Sequence, residues 1–119
     1  MPIKFANDKP IFIQFAEIIK REVVGGAYRS GEKLPSVREF ALKYSINPNT
    51  VQKALQLLED EGLIVTDRTN GKFVAESPEL IEASKASAIK NEVESFVERL
   101  KSLGLSVLEI KNIINKVEE

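Results

Sequence analysis

The chain has 119 residues, of which 43% are hydrophobic and 29% charged, and this suits one compact domain or a small domain with an appendage. It contains no cysteine and no histidine, which excludes thiolate metal sites, disulfides and the commonest general base, so we predict neither an enzyme nor a cofactor. No apolar run reaches the roughly 18 residues of a membrane helix and no secretion signal is seen, so we expect a cytoplasmic protein without membrane association.

The first predicted helix follows Pro10. Apolar residues recur at helical spacing through residues 11–23. The pair Gly25-Gly26 ends this pattern, because glycine adopts the left-handed conformation of a helix C-terminus at least steric cost. Residues 28–35 then indicate a turn and a short extended segment.

Residues 36–62 hold two amphipathic helix patterns joined by a three-residue turn. Ser36, with Glu39 three residues later, predicts a capping box at the start of the first helix. Asn47 is the predicted N-cap of the second helix, and Pro48 occupies its first position. Two short helices with an exposed polar start to the second are typical of a helix-turn-helix, which places its second helix in the DNA major groove.

The hydrophobic period changes after Gly62. Residues 63–66 and 72–75 each indicate a strand, and residues 67–71 indicate a tight loop between them. A β-hairpin that directly follows a helix-turn-helix is the wing of a winged helix. The sequence therefore predicts a mostly α fold with a small β-hairpin, in which residues 1–75 form a winged helix-turn-helix DNA-binding domain.

Two further helices are predicted in residues 76–119. The run Ser77-Pro78-Glu79 starts the first, which extends to about Gly104. Ser106 and Glu109 form another capping box at the start of the last. We interpret residues 76–119 as a two-helix dimerisation region.

The apolar face of the first tail helix supports this interpretation. The helix would extend on the order of 39 Å at about 1.5 Å per residue, which is more surface than the short last helix covers. A symmetric homodimer is the simplest way to cover the remainder. A cavity for a small-molecule effector at the same interface stays open, and the sequence specifies no effector. The predicted interface comprises Ile89, Val93, Phe96, Val97, Leu100, Leu103, Ile110 and Ile114.

The net charge of −1 is unevenly distributed. Residues 1–75 carry eleven basic and nine acidic residues, a net +2, whereas residues 76–119 carry six basic and nine acidic, a net −3. The modest positive excess therefore lies in the part that contains the helix-turn-helix, as expected for a partner with a phosphate backbone.

Three runs between residues 31 and 62 resemble a known protein family. GEKLPSVREFA at 31–41, INPNTVQKAL at 46–55 and LEDEG at 58–62 closely resemble the GntR family of bacterial transcription regulators. The total length and the two-helix tail are similar to its YtrA-type subfamily. The resemblance covers residues 10–75 well and the tail by architecture alone. It implies a homodimer that binds a palindromic operator and usually represses genes.

The resemblance also implies a set of DNA-contacting residues. The family arginine after Leu-Pro-Ser corresponds to Arg38, and the reading positions correspond to residues on the second helix of the motif. At the wing tip, the family pattern Gly-x-Gly-Thr-Phe-Val is replaced by Thr-Asn-Gly-Lys-Phe-Val, which leaves the contact made there open. The candidate DNA-binding residues are Ser36, Arg38, Asn47, Asn49, Thr50, Gln52, Lys53, Arg68, Gly71 and Lys72.

Six of these candidates also have a plainer explanation. Arg38 could form an ion pair with Glu39 or Glu32. Asn47 is expected to serve mainly as a helix cap, and Gln52 and Lys53 could be ordinary solvated side chains. Arg68 and Lys72 could simply keep a hairpin soluble.

A protein-binding winged helix that does not bind DNA is the alternative function. Salt dependence separates the two functions, because a DNA-bound protein releases counterions and loses affinity steeply as salt rises. An adaptor would have no measurable DNA affinity even at low salt.

Overall fold

The computed structural model describes residue 5 and residues 8–118, and in this part of the chain it has five helices and one antiparallel hairpin. Residues 1–4, 6, 7 and 119 of the two predicted domains lie outside the described residues. The mostly α architecture with a small hairpin confirms the predicted fold class. The elements are α1 Ile11–Val24, α2 Val37–Tyr44, α3 Pro48–Asp60, β1 Ile64–Asp67, β2 Gly71–Val74, α4 Pro78–Lys101 and α5 Val107–Ile114.

The chain divides into two compact units, Met1–Lys85 and Ala86–Glu119. The first turns of α4 therefore belong with the winged helix, beyond the predicted boundary at residue 75. Leu80 and Ile81 explain this, because both are partly buried against the hydrophobic core of the first unit. Among the described residues, no helix is both long and apolar enough to cross a membrane.

Aromatic contacts lie at the centre of the first unit. The ring of Phe15 on α1 meets the rings of Phe40 and Tyr44 on α2 edge-on, at centroid distances of 5.4 Å and 5.2 Å. Edge-to-face pairs of this kind contribute about 0.5–1.5 kcal/mol beyond the area they bury. The fully buried aliphatic side chains of this unit come from α1, from α3, and from the hairpin and the residue before it: Ile19, Val23, Val51, Leu55, Leu58, Leu63, Ile64 and Val74.

Local hydrogen bonds fix both ends of the turn between α2 and α3. Ser45 adopts the left-handed conformation (φ 56°, ψ 47°) at the end of α2, and the Ile46 amide donates to the Ala41 carbonyl at 3.1 Å. Asn47 then caps α3, with Pro48 as its first residue. The predicted three-residue turn and the predicted cap are therefore confirmed.

The hairpin is offset by one residue from its predicted bounds. Ile64 pairs with Val74 and Asp67 with Gly71, so β1 starts one residue later and β2 one residue earlier than predicted. The carboxylate of Asp67 accepts the amides of Thr69 and Asn70 at 2.8 Å and 3.1 Å. These bonds tighten the turn to residues 68–70 and bring Asp67 and Gly71 into the ladder.

The second unit contains the remainder of α4 and all of α5. Ser106 and Glu109 form the predicted capping box at the start of α5. Ile110, predicted at the dimer interface, is instead buried within the monomer, with 2% of its surface exposed. Ile110 is the fourth residue of α5, and its burial leaves almost no side-chain surface available to a partner.

The capping box of α2 makes the stability of the first unit depend on pH. The Ser36 amide donates to Glu39 Oε1 at 3.0 Å, and this bond lowers the pKa of that carboxyl from its ordinary 4.5. The stabilisation is therefore present in full above pH 4.5 and is lost as the pH falls through the lower pKa of the folded state.

Glu39→Gln tests this dependence, because glutamine can still accept the Ser36 amide but does not titrate. We expect the wild type to exceed the variant in free energy of unfolding above pH 4.5, and the difference to shrink on acidification. Urea denaturation across a pH series measures it. A difference that stays constant throughout the acid range contradicts the assignment.

Candidate nucleic-acid interface

The first turn of α3 presents polar side chains to solvent. The side-chain oxygen of Asn47 accepts the Asn49 amide at 2.7 Å, so Asn47 satisfies a helix-start donor. The side chains of Asn49 and Gln52 are exposed and make no hydrogen bond to other described residues. Thr50 is half-buried beside them. Asn47 therefore performs the capping, and the amides of Asn49 and Gln52 stay available.

Arg38 lies in the first turn of α2 and is exposed. It has no ion pair within the described part of the chain, and both proposed acidic partners are engaged elsewhere. Glu39 is held in the capping box, and Glu32 Oε1 accepts the Arg29 amide at 2.8 Å. The guanidinium is therefore free to make a bidentate bond to a phosphate or a guanine edge.

Ser36 is the N-cap of the same helix. Its hydroxyl oxygen accepts the Glu39 amide at 3.1 Å, and its own amide donates to Glu39. The hydroxyl hydrogen faces the same Glu39 carboxylate and also lowers its pKa. A phosphate would therefore have to replace Glu39 as the acceptor of the Ser36 hydroxyl.

Lys53 is positioned by a contact that the sequence did not reveal. Its Nζ lies 4.1 Å from the ring centroid of Phe12, which is on α1. A cation over an aromatic face is attracted by about 0.5–1 kcal/mol at an exposed site. No local signal in the sequence relates Phe12 to a lysine 41 positions later.

The two basic wing residues have different environments. Arg68 is exposed in the turn of the hairpin and has no ion pair with another described residue. Lys72 Nζ donates to Thr66 Oγ1 at 2.8 Å and lies 3.9 Å from Glu59 Oε2 on α3. Lys72 was predicted to contact DNA, but the structure directs its ammonium towards the protein. The missed residue is Glu59, which reads as an ordinary solvated acid in the sequence.

Gly71 and Asp67 set the conformation of the wing tip. Gly71 has φ +104°, which favours glycine, and it is exposed. The amides of Thr69 and Asn70 donate to the ionised Asp67 carboxyl and lower its pKa from the ordinary 3.8. In the described residues, no group of acidic side chains is arranged to hold a metal ion.

This geometry defines a winged helix-turn-helix protein of the nucleic-acid-binding class. Exposed amide groups and the Arg38 guanidinium occur together in the helix-turn-helix, and a second guanidinium, that of Arg68, is at the wing tip. The family model described as "Bacterial regulatory proteins, gntR family" matches residues 14–74. The chain belongs to the GntR family of transcriptional regulators, and the resemblance noted in its sequence is confirmed.

Relatives of similar sequence are bacterial regulators. The chain is 38% identical to the uncharacterised HTH-type transcriptional regulator YhcF of Bacillus subtilis over 106 residues, which is 89% of this chain and 88% of the relative. It is 37% identical to the HTH-type transcriptional repressor YtrA of the same organism over 97 residues, which is 82% of this chain and 70% of the relative.

A solved structure of a GntR family transcriptional regulator from Listeria monocytogenes matches with a TM-score of 0.87 and 38% identity. The match covers 96% of this chain and 100% of that chain. All three proteins are transcriptional regulators and not enzymes, in agreement with the class predicted from the sequence.

The division of roles in the first turn of α3 predicts two different effects on stability. Asn47→Ala should lower the free energy of unfolding by about 1 kcal/mol, because a helix cap is lost. Asn49→Ala, the matched control two residues away, should change it by less than about 0.5 kcal/mol, because that side chain has no partner. Chemical denaturation measures both, and equal losses would show that the cap is misassigned.

Proposed function

We propose that the chain is a repressor that binds a palindromic operator as a homodimer. The observation that carries this proposal is the exposed first turn of α3, where Asn47 supplies the cap and leaves Asn49 and Gln52 without partners. A paired donor and acceptor on one side-chain amide matches the major-groove edge of adenine. These two residues are therefore the proposed base readers.

The remaining contacts go to the DNA backbone. Arg38, the Ser36 hydroxyl and the half-buried Thr50 lie at the starts of α2 and α3, where helix dipoles also favour phosphate. Arg68 at the wing tip is a second cationic contact. The Lys53 ammonium over the Phe12 ring keeps N–H donors on its outer side, so it is proposed as a further phosphate contact.

The exposed apolar face of α4 supports the homodimer. Ile89 and Val93 are each 54% exposed, and Phe96 is 39% exposed. Val97 and Leu100 are half-buried, whereas Leu103 and Ile114 are largely open. Apolar surface of this kind is costly in water and is covered when two copies pair symmetrically. Ile110 is left out of this proposed interface because the monomer already buries it.

Pairing gives the proposed operator its symmetry and its affinity. Two recognition helices in successive major grooves would lie about 34–36 Å apart. Binding by the first subunit makes binding by the second effectively intramolecular, so two weak half-site contacts combine into a stable complex. Repression then follows if the operator overlaps a promoter.

Substitutions in the helix-turn-helix test the operator contacts. Gln52→Ala should weaken binding by about 1–3 kcal/mol and relax specificity at one base pair, because a bidentate base contact is lost. Arg38→Ala should weaken binding to all sequences and lower the salt slope by about 1. Mobility shifts on duplexes selected from a random library measure both effects.

Controls of matched chemistry lie outside the proposed contacts. Gln56→Ala removes an amide one turn further along α3, where it already donates to Asp60 at 2.9 Å. Arg29→Ala removes an arginine from the turn after α1. Both should bind as the wild type does. An unchanged shift in Gln52→Ala and Arg38→Ala would refute the contacts, and no DNA affinity at low salt would favour the protein-binding adaptor.

The proposed dimer is tested by placing a charge on the apolar face of α4. Phe96→Glu or Leu100→Glu should give monomers in sedimentation velocity, because pairing would bury an unpaired carboxylate. Ser95→Glu adds the same charge at an exposed position on another side of the helix and should remain dimeric. A dimer that persists in both apolar-face variants would place the interface elsewhere.

A further inference from the structure

Lys72 is committed to contacts within the protein. Its ammonium donates to Thr66 Oγ1 at 2.8 Å on the neighbouring strand and lies 3.9 Å from Glu59 Oε2 on α3. The side chain of Lys72 is 13% exposed, and that of Glu59 is 28% exposed. Solvent and salt screen an ion pair between two partly buried side chains less than they screen a pair between fully exposed ones. Turning the ammonium towards DNA would leave the half-buried Glu59 carboxylate without an ion-pair partner.

These contacts join the wing to the recognition helix. Thr66 and Lys72 are opposite each other in the hairpin register, and Glu59 lies in the last turn of α3. The carbonyl of Lys72 also accepts the Leu34 amide at 2.9 Å, which fixes the backbone from the other side of β2. Lys72 is therefore held at its main chain and at its ammonium, and the hairpin is held at a fixed angle to α3.

We infer that Lys72 and Glu59 form a brace that orients the wing, and that Lys72 is a positioning residue for Arg68 and not itself a DNA ligand. This inference rests on the proposed operator binding, because it assigns a cause to the wing contact. Arg68 is in a turn already closed by the Asp67 carboxylate. Because the turn is closed and the hairpin is oriented, the Arg68 guanidinium already has its binding position in the free protein. This pre-organisation lowers the conformational entropy that is lost on binding.

Glu59→Gln separates a brace from a direct lysine contact. Removing a carboxylate ordinarily strengthens DNA binding, because it removes repulsion with phosphate, and it would also release Lys72 to the DNA. The brace requires the opposite result, an affinity about three- to tenfold lower. Asp60→Asn is the matched control, since it removes the same charge at the next, exposed position. Its affinity should be equal to or above that of the wild type.

A double-mutant cycle with Arg68 gives a second test. Arg68→Ala and Lys72→Met should each lower operator affinity by about three- to tenfold. The double variant should bind no more weakly than Arg68→Ala alone, because without the guanidinium the wing orientation no longer affects binding. Losses that multiply in the double variant would mean that Lys72 contacts DNA independently, and would overturn the inference.

Measurements on the free protein make the result independent of DNA. Heteronuclear NOE values for the amides of residues 68–71 should fall in Glu59→Gln and Lys72→Met and stay unchanged in Asp60→Asn. If Lys72→Met does not fold, Thr66→Val removes the hydroxyl at constant shape and should give the same fall. Unchanged NOE values in these variants would overturn the brace.

The two proposals fail in different ways. If the wild-type chain binds no duplex at low salt, the proposed function is contradicted, and the NOE measurements still test the brace. If the wild type binds DNA and Glu59→Gln binds as tightly as Asp60→Asn, the brace is contradicted and the proposed function is not affected.

Discussion

The contact between Phe15 and the two aromatic side chains of α2 is the constraint on which the rest of the first unit depends. Phe40 and Tyr44 meet the Phe15 ring edge-on at 5.4 Å and 5.2 Å, which holds α2 against α1. The short turn through Ser45 then leaves α3 little freedom, and Val51 buries the start of that helix in the same core. A recognition helix contacts base edges only when it enters the major groove at a defined depth and angle. The packing of the buried face of α3 against the core is therefore a condition for base contacts by its exposed face.

Polar groups in the first unit divide into those that complete the fold and those left for a partner. Ser36, Asn47 and Asp67 each accept backbone amides that would otherwise lack a partner at a helix start or a turn. Because those amides already have acceptors, the side chains of Asn49 and Arg38 are not needed for hydrogen bonds within the described part of the protein. Exposed side chains next to completed caps are pre-organised for an external ligand, because binding does not unmake any internal bond.

The sequence predicted what local chemistry determines. Both capping boxes, the Asn47 cap, the order of elements and the hairpin follow from residues a few positions apart. The environments of Lys72 and Ile110 did not follow, because their neighbours are set by tertiary packing. A lysine in a hairpin looks the same whether its ammonium faces DNA or Glu59, and an apolar helix position looks the same whether the monomer or a partner covers it.

The run Gly-Glu-Lys-Leu-Pro-Ser at 31–36 carries the family resemblance because it serves the wing and the helix-turn-helix at once. Gly31 (φ +79°) starts the run, and its amide and the Glu32 carbonyl pair with Val74 on β2. Leu34 is buried in the core, and two residues later Ser36 caps α2. The Leu34 amide also donates to the Lys72 carbonyl on β2, so a single residue, Pro35, separates a wing contact from the helix cap. Residues 31–36 are short and are hydrogen-bonded to β2, so a displacement of β2 would also displace the start of α2.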